Sequence, residues 1–401
     1  MTAPLLDGVT VLDLTNVLAG PYAGYQLALL GADVIKIENP RGGDLARRLG
    51  AAPELSDELL GVSFLAQNSA KRSLTLDLKA PPGAKIFTEL VRDADVVLEN
   101  YRPGVMERLG FGWEALRAIN PGIVYCAISG FGQTGPMRGR PAYDQIIQGL
   151  SGLMSVTGTP ATAPLRVGAP ICDSMGGLAA AMAVNAALVR RARTGEGAFL
   201  DVSMLETAMT SMGWVVSDQL VAGVAPVVMA NENRTAAPSG TFATADGALN
   251  IAANKQEQWE TLCAVLGRAE LVDDPRFRTR ELRKANRDVL RAELERSLRE
   301  RTAQEWDDVL LDSGVPAAPV ASVAEALSSE QVRARGLVVE MPSPAADDGT
   351  LRLLGGPVHV DGEPASPDRR PPRLGEHTDE VLAGLGYASD EIARLREEGV
   401  I

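Results

Sequence analysis

The sequence predicts an α/β protein, with a parallel sheet covered by helices in a large domain and a smaller α+β domain in the middle of the chain. Two observations predict this class. From residue 9 to residue 222, β-branched apolar runs alternate with segments of helical spacing. The length of 401 residues also exceeds what one hydrophobic core supports, so two domains are expected.

The strands of the parallel sheet follow one another along the first half of the chain, separated by helical segments. The predicted strands are VTVLDLT (9–15), ADVIKIE (32–38), SLTLDLK (73–79), DVVLENY (95–101) and GIVYCAISGFG (122–132), followed by AFLDVSML. The longest predicted helix covers 174–197, where alanine and leucine dominate and Gly195 provides the C-terminal signal.

The sequence changes character after residue 222. A hairpin with an Asp246-Gly247 turn is predicted within GTFATADGALNIAA, and helices are predicted around 255–268 and 286–312. The domains are therefore placed at 1–222 (large domain, first part), 223–324 (small domain) and 325–401 (C-terminal return). The Pro-, Asp- and Gly-rich stretch 342–374 is predicted as extended loops around VVEM and LRLL, and the C-terminal tail as helix.

Composition argues against several classes of function. The formal net charge of −13 disfavours a nucleic-acid surface. Three cysteines without a CxxC pair and two histidines without ligand spacing predict neither a disulfide framework nor a metal site. No signal peptide or membrane-spanning run is found, so a cytoplasmic protein without membrane contact is expected. Neither GxGxxG nor a P-loop occurs, which argues against dinucleotide cofactors and ATP.

Basic side chains collect around the predicted strands. They are Arg41, Lys71, Arg72, Arg102 and Arg108. Open α/β sheets bind ligands outside the carboxyl ends of their strands, so these cations could converge on phosphate groups. Each one alone is explained more simply as a solvated loop charge.

Asp173 stands among small and apolar residues in GAPICDSMGG, directly before the longest predicted helix. An aspartate there is a favoured N-cap. Gly176 and Gly177 would also let a ligand approach, and the helix N–H groups could stabilise an oxyanion while the carboxylate attacks an acyl group. The same N–H groups would lower its pKa. Tyr143 and Asp144 are candidate supporting residues, although Asp144 could instead cap its own helix.

Six segments together resemble the class III coenzyme A transferases, the family of formyl-CoA transferase and carnitine-CoA transferase. They are VLDLTNVLAGPYAGYQLALLGADVIKIENPRGGD, NSAKRSLTLDLK, DVVLENYRPGVMERLGFGWEAL, ISGFGQTGP, GAPICDSMGG and GEHTDEVLAGLGYASDEIARLREEGVI. The resemblance implies a Rossmann-like large domain built from both chain ends, a small central domain and two subunits interlocked as a homodimer.

The resemblance also implies that CoA passes from an acyl-CoA donor to a carboxylic acid acceptor. Asp173 would attack the thioester to give a mixed anhydride, and the CoA thiolate would turn this into an aspartyl-CoA thioester that the acceptor carboxylate resolves. CoA is then a substrate, and no metal or prosthetic group takes part. The family's CoA-binding positions fall on Arg41, Lys71, Arg72, Asn100, Tyr101 and Arg108.

Two alternatives remain beside the transferase. The family includes 2-methylacyl-CoA racemases, which carry a histidine where this chain has Tyr143, so an isomerase or racemase acting within one acyl-CoA is the second choice. A non-enzymatic CoA-binding protein is the third. The small domain lacks the glycine run of formyl-CoA transferases, the nearest stretch being APSG (237–240), and Leu18 replaces their glutamine. The sequence therefore does not support formyl-CoA or oxalate specificity.

Overall fold

The computed structural model describes residues 4–342 and 349–401. The chain divides into two compact units. The larger unit comprises Met1–Met154, Arg166–Pro226 and Glu330–Ile401, and the smaller unit comprises Ser155–Leu165 and Val227–Ser329. The segment 155–165, which the sequence analysis leaves in the large domain, thus belongs to the smaller unit.

The larger unit is built on six parallel strands in the spatial order β3-β2-β1-β4-β5-β6, which confirms the predicted sheet. The strands are β1 (Thr10–Asp13), β2 (Asp33–Glu38), β3 (Lys71–Thr75), β4 (Val96–Glu99), β5 (Val124–Ser129) and β6 (Ala198–Ser203). The chain order reverses between β1 and β4. The carboxyl ends of these two strands therefore frame the crevice in which such sheets bind ligands.

Strand β3 begins and ends earlier than predicted. Lys71 pairs with Val34 and Arg72 with Ile35, so both basic residues lie inside the strand. The alternation in SLTLDLK pointed to a later strand because that pattern counts only apolar side chains as buried. The side chain of Lys71 is also fully buried, because it forms an ion pair with Asp13.

Helices cover both faces of the sheet. The helices of the larger unit are α1 (Ala19–Leu29), α2 (Pro53–Asp57), α3 (Val62–Leu65), α4 (Pro81–Asp93), α5 (Val105–Arg108), α6 (Trp113–Ile119), α7 (Asp144–Leu150), α8 (Ile171–Thr194), α9 (Met204–Ser211), α10 (Gly213–Ala222), α16 (Glu330–Ala334), α17 (Thr378–Gly384) and α18 (Ser389–Glu397). Short 3-10 turns lie at Leu45–Arg48, Leu153–Val156 and Ala269–Leu271. The longest predicted helix is therefore present as α8, three residues earlier than predicted, and the predicted helical tail is present as α17 and α18.

The two faces of the sheet bury separate apolar cores, because side chains alternate along each strand. Leu12 points into a core formed with α4, α6, α17 and α18, so the C-terminal helices complete the larger unit. Val11 points into a second core formed with α1 and α8. Helix α8 is long and apolar enough to cross a membrane by length and composition, but its small residues pack along α1 as in the core helix of a folded domain.

The smaller unit contains an antiparallel sheet and a set of helices around the buried side chains of Trp259, Phe277 and Trp306. Its elements are β7 (Ser239–Ala243), β8 (Ala248–Ala252), β9 (Ala317–Pro319), α11 (Gln256–Val265), α12 (Arg280–Ala285), α13 (Arg287–Leu298), α14 (Ala303–Asp312) and α15 (Val323–Ser328). The predicted hairpin is confirmed, since β7 and β8 pair across the Asp246-Gly247 turn. Ser239 and Gly240 of the APSG stretch belong to β7.

Two further ladders lie near the C terminus of the larger unit. VVEM and LRLL, predicted as parts of extended loops, form the antiparallel strands β10 (Val338–Pro342) and β11 (Thr350–Leu354). Strands β12 (His359–Val360) and β13 (Glu363–Pro364) form a second short pair. The part of the predicted loop at 343–348 lies outside the described residues.

Candidate active site

A cavity of 230 Å³ lies in the larger unit, where the loops after β1, β4 and β5 meet the first residues of α1, α7 and α8. Its lining includes Leu18, Asn100, Tyr101, Tyr143 and Asp173. The cavity therefore joins residues from four distant parts of the sequence at the switch point of the sheet. A larger groove of 990 Å³ lies elsewhere in this unit and contains none of these side chains.

Asp173 is the third residue of α8, not the residue before it. The helix begins at Ile171, and Pro170 is its N-cap residue. Among the described residues, no hydrogen bond or ion pair reaches the carboxylate of Asp173, while its backbone N–H donates to Oδ1 of Asp144. The interpretation of Asp173 as the cap of this helix is therefore wrong.

Asp144 provides the cap instead. It is the first residue of α7, and its Oδ1 accepts hydrogen bonds from the backbone N–H groups of Cys172 at 2.8 Å and Asp173 at 3.4 Å. Its Oδ2 accepts from Nε2 of Gln148 at 2.6 Å, and Oε1 of Gln148 accepts from the N–H of Val167 at 2.8 Å. Because a neighbouring helix satisfies these N–H groups, the carboxylate of Asp173 is left to face the cavity.

Burial and, secondarily, the negative charge of Asp144 raise the pKa of Asp173 from 3.8 to about 7. The expectation that helix N–H groups lower this pKa does not hold, because Asp144 occupies them. An unpaired carboxylate of higher basicity is a better nucleophile than an ordinary aspartate. Perturbed carboxyl groups of this kind are concentrated at functional sites.

Gly176 and Gly177 lie at contacts between helices rather than on the cavity wall. A Cβ on Gly177 would lie 2.5 Å from the carbonyl oxygen of Ala19, and a Cβ on Gly176 would lie 3.1 Å from Cγ of Met204. The two glycines thus let α8 approach α1 and α9 closely. Their effect on the site is indirect, because this approach sets Asp173 beside the first turn of α1.

The loop after β1 is held in an uncommon conformation. Val17 has a φ of +69°, which is costly for a β-branched residue. Its N–H donates to Oδ1 of Asp44 at 2.8 Å, and Asp44 forms a buried ion pair with Lys36 at 2.9 Å. Asn100 also exchanges two hydrogen bonds with the backbone of Asn16, at 2.8 and 2.7 Å. These contacts fix the wall of the cavity opposite α8.

Of the six positions that the resemblance assigns to CoA, Asn100 and Tyr101 line the cavity. Arg41 follows β2 at the carboxyl edge, is exposed and forms a 3.3 Å ion pair with Asp77. Arg108 ends α5 and is also exposed. Arg41 and Arg108 do not line the cavity, so a contact with CoA would have to lie outside it.

Lys71 and Arg72 do not lie at the carboxyl edge. The Nζ of Lys71 donates to Asp13 at 2.9 Å, to the carbonyl of Pro21 at 2.8 Å and to Asn68 at 3.0 Å. An ammonium group has three protons, so none is left for a phosphate. Arg72 pairs with Asp33 and Glu380, on the amino-terminal side of the sheet. The early start of β3 is the physical reason for both corrections.

Sequence reasoning missed two arginines of the site. Arg138 and Arg140 line the cavity, on the exposed loop between β5 and α7. The segment GQTGPMRGRPA attracted attention for its glycines, whereas the available signal was an Arg-x-Arg pair close to Tyr143. Among the described residues, no three His, Cys, Asp or Glu side chains form a group that could hold a metal ion.

Comparison with known proteins identifies the family of the whole chain. Two relatives are a succinate–glutarate CoA-transferase of Agrobacterium fabrum, 37% identical with 95% of this chain and 96% of the relative covered, and an acetyl-CoA:oxalate CoA-transferase of Acetobacter aceti, 41% identical with 92% and 93% covered. A crystal structure of a CAIB/BAIF family protein from Brucella suis superimposes with a TM-score of 0.83 at 36% identity, over 96% of this chain and 100% of that one.

The family model for "CoA-transferase family III" matches residues 6–378. This range includes every residue that lines the cavity, the whole of the smaller unit, and the larger unit except for residues 1–5 and 379–401. Both relatives, which match nearly the full chain at 37% and 41% identity, are named as CoA-transferases. The chain therefore belongs to CoA-transferase family III and is an enzyme that transfers coenzyme A.

Proposed function

We propose that this enzyme moves CoA from an acyl-CoA to a small carboxylic acid through intermediates on Asp173. A carboxylate oxygen of Asp173 attacks the thioester carbon, and the C–S bond breaks to give a mixed anhydride and the CoA thiolate. The thiolate attacks Cγ of Asp173, which releases the donor's acid and leaves an aspartyl-CoA thioester. The acceptor carboxylate attacks Cγ, and the Cγ–S bond breaks to give a second anhydride and the CoA thiolate. The thiolate then attacks the acyl carbon of the acceptor, which gives the new acyl-CoA and releases Asp173 as its carboxylate.

The observation that carries this proposal is an unpaired carboxylate in the cavity. Among the described residues, Asp173 is the only carboxylate in the lining, and no cation or donor binds its oxygens. Carboxylates with a purely structural role are normally paired when they are taken out of water. The ionised group needs no separate base, because it attacks directly.

The N terminus of α1 supplies the complementary positive potential. Its N-cap residue Leu18 makes no side-chain hydrogen bond, and the described residues provide no acceptor for the N–H groups of Leu18 and Ala19. Both residues line the cavity together with Asp173. We assign these two N–H groups to the negative oxygen that develops on the thioester carbonyl. They replace the α8 N–H groups, which Asp144 occupies.

The acceptor is a small acid, as in the relatives named for succinate, glutarate and oxalate. Pockets for drug-sized ligands usually measure about 300–1,000 Å³, so the cavity of 230 Å³ suits the acyl group and the sulfur of CoA rather than the whole molecule. CoA acts as a substrate, and the steps above need no prosthetic group. The interlocked homodimer and the cytoplasmic location remain predictions.

An isomerase or racemase within one acyl-CoA would need a second acid or base across the reacting carbon. Among the described residues, the cavity contains no second carboxylate and neither His359 nor His377. The lining therefore gives this alternative no support.

Trapping of the acyl-enzyme tests the proposal. Wild-type protein is incubated with acetyl-CoA, succinyl-CoA or glutaryl-CoA, treated with hydroxylamine and examined by peptide mass spectrometry. We expect a hydroxamate on Asp173 with at least one donor, and neither hydroxamate nor transfer in Asp173→Ala. The matched control is Asp390→Ala, which removes an exposed carboxylate from the first turn of α18. Full transfer activity in Asp173→Ala would refute the mechanism.

A further inference from the structure

Three guanidinium groups share the cavity with Asp173. They belong to Arg102, Arg138 and Arg140. Within the described part of the chain, none of the three forms an ion pair or a side-chain hydrogen bond, whereas Arg47, with Glu38, and Arg191, with Asp95, do. The chain as a whole has 52 acidic against 39 basic residues. Unpaired cations gathered in one cavity of an acidic protein indicate an anionic ligand.

The arginines come from two different loops. Arg102 follows β4, directly after Asn100 and Tyr101, two positions that the resemblance assigns to CoA. Arg138 and Arg140 lie on the loop that leads into α7. The first residue of α7 is Asp144, whose side chain is bonded to the backbone N–H groups of Cys172 and Asp173. These bonds fix the end of the loop that carries Arg138 and Arg140 to the first turn of α8.

The charges of the reacting groups indicate which ligand Arg138 and Arg140 can bind. In the aspartyl-CoA thioester of the proposed mechanism, Asp173 is neutral, so the attacking acid group meets no negative charge there. A monocarboxylic acceptor brings no other charge to the cavity. A dicarboxylic acceptor brings a second carboxylate, which must be paired when it leaves water. Guanidinium groups are the side chains best suited to bind a carboxylate through two hydrogen bonds.

We propose that Arg138 and Arg140 bind the distal carboxylate of a dicarboxylic acceptor and so select diacids over monoacids of the same length. This inference rests on the proposed function, because it needs the aspartyl-CoA thioester. Arg102 directly follows Asn100 and Tyr101, which the resemblance assigns to CoA, and it contributes to donor binding. The cavity of 230 Å³ has room for a small diacid beside Asp173.

The test compares acceptors that differ only in the distal carboxylate. With acetyl-CoA as the donor, whose acyl group has no second carboxylate, kcat/KM is measured for oxalate, succinate, glutarate and adipate, and for monocarboxylates of equal chain length. For the wild type we expect a preference of about 10- to 100-fold for the best diacid over its monoacid, the range of a hydrogen-bonded ion pair. In Arg138→Met and Arg140→Met this preference falls about tenfold or more, while kcat/KM for the monoacid and KM for the donor stay unchanged.

Matched variants distinguish the selection of diacids by Arg138 and Arg140 from a role of these arginines in CoA binding. Arg92→Met removes an exposed arginine of α4 outside the cavity and leaves all parameters unchanged. Arg102→Met raises KM for the donor and leaves the acceptor preference intact. Equal losses for diacids and monoacids in the Arg138 and Arg140 variants, or a raised donor KM, would assign these arginines to CoA phosphates and overturn the proposal. A wild type without preference for any diacid overturns it as well.

The failure of this inference can be distinguished from failure of the proposed function. Formation of the Asp173 hydroxamate depends on the donor alone and does not involve the acceptor. If the hydroxamate forms in the wild type and in both arginine variants but acceptor preference is unaffected, only the assignment of Arg138 and Arg140 is wrong. If no hydroxamate forms on Asp173, the mechanism itself is wrong.

Discussion

The proposed nucleophile should destabilise the protein that contains it. Asp173 is half-buried, lies beside Asp144 and has no cation or hydrogen-bond donor on its carboxylate among the described residues. In the unfolded chain the same carboxyl group is fully hydrated. Folding therefore costs free energy whenever Asp173 is ionised, and Asp173→Asn should remove that cost.

The size of the effect follows from the two pKa values. Folding raises the pKa of Asp173 from 3.8 to about 7, a difference of about three units. At 1.36 kcal/mol per unit, this corresponds to about 4 kcal/mol. The sign is that of a raised pKa: the native carboxyl is neutral below pH 4 and nothing is lost there. The stability of the wild type then falls between about pH 4 and pH 7, because the unfolded chain releases its proton first.

The assay is urea unfolding of wild type and Asp173→Asn at one protein concentration and at several pH values. The variant is expected to be about 4 kcal/mol more stable at pH 8, about 2 kcal/mol more stable near pH 5.5 and within 1 kcal/mol near pH 4. The matched control is Asp390→Asn, from the exposed first turn of α18, for which the loss of a favourable helix-dipole interaction predicts a change of at most about 1 kcal/mol in the opposite direction.

The assignment of an uncompensated charge to Asp173 fails if Asp173→Asn is no more stable than the wild type at pH 8. It also fails if the gain does not shrink as the pH is lowered, because a gain independent of pH cannot come from ionisation of this carboxyl group. The variant must also be inactive in CoA transfer. A stabilised and inactive protein is the pattern expected when a functional group is kept at the expense of stability.

Substitutions at two further positions test the surroundings of the site. In Asp144→Asn, the negative charge beside Asp173 is lost, so the acidic limb of the pH profile of kcat/KM, near pH 7 in the wild type, should move to lower pH but stay above the pH of an ordinary aspartate, because burial is the larger cause of the raised pKa. Asp144→Glu keeps the charge and should leave the limb near its original pH. In Lys71→Met, the buried carboxylate of Asp13 loses its partner, so unfolding should become about 3–5 kcal/mol easier, while KM for acyl-CoA measured on the folded protein stays unchanged. A raised KM for acyl-CoA without loss of stability would instead indicate that Lys71 binds CoA, as the resemblance implies.

The local sequence pattern was sufficient to predict an element where the same pattern causes that element to form. The parallel strands were found because strands buried on both faces must be continuously apolar, and the β7–β8 hairpin was found because Asp246-Gly247 is a strong turn signal. Patterns failed where a polar residue is buried by a distant partner. Lys71 is the clearest case, since its place inside β3 depends on Asp13, which is 58 residues away in the sequence.

The sequence by itself determined the α/β class, the parallel sheet, the family resemblance and the choice of Asp173 as the candidate nucleophile. The α/β class and the sheet follow from the order of apolar residues along the chain. The role of Asp173 follows from the motifs that carry the family resemblance, since the residues around it also allowed a helix cap. Only the tertiary structure decided that Asp144 caps α8, that Asp173 is consequently unpaired, and that Arg138 and Arg140 share its cavity. Each of these depends on contacts between groups from separate loops. The free energy of such contacts cannot be predicted from any single segment of the sequence.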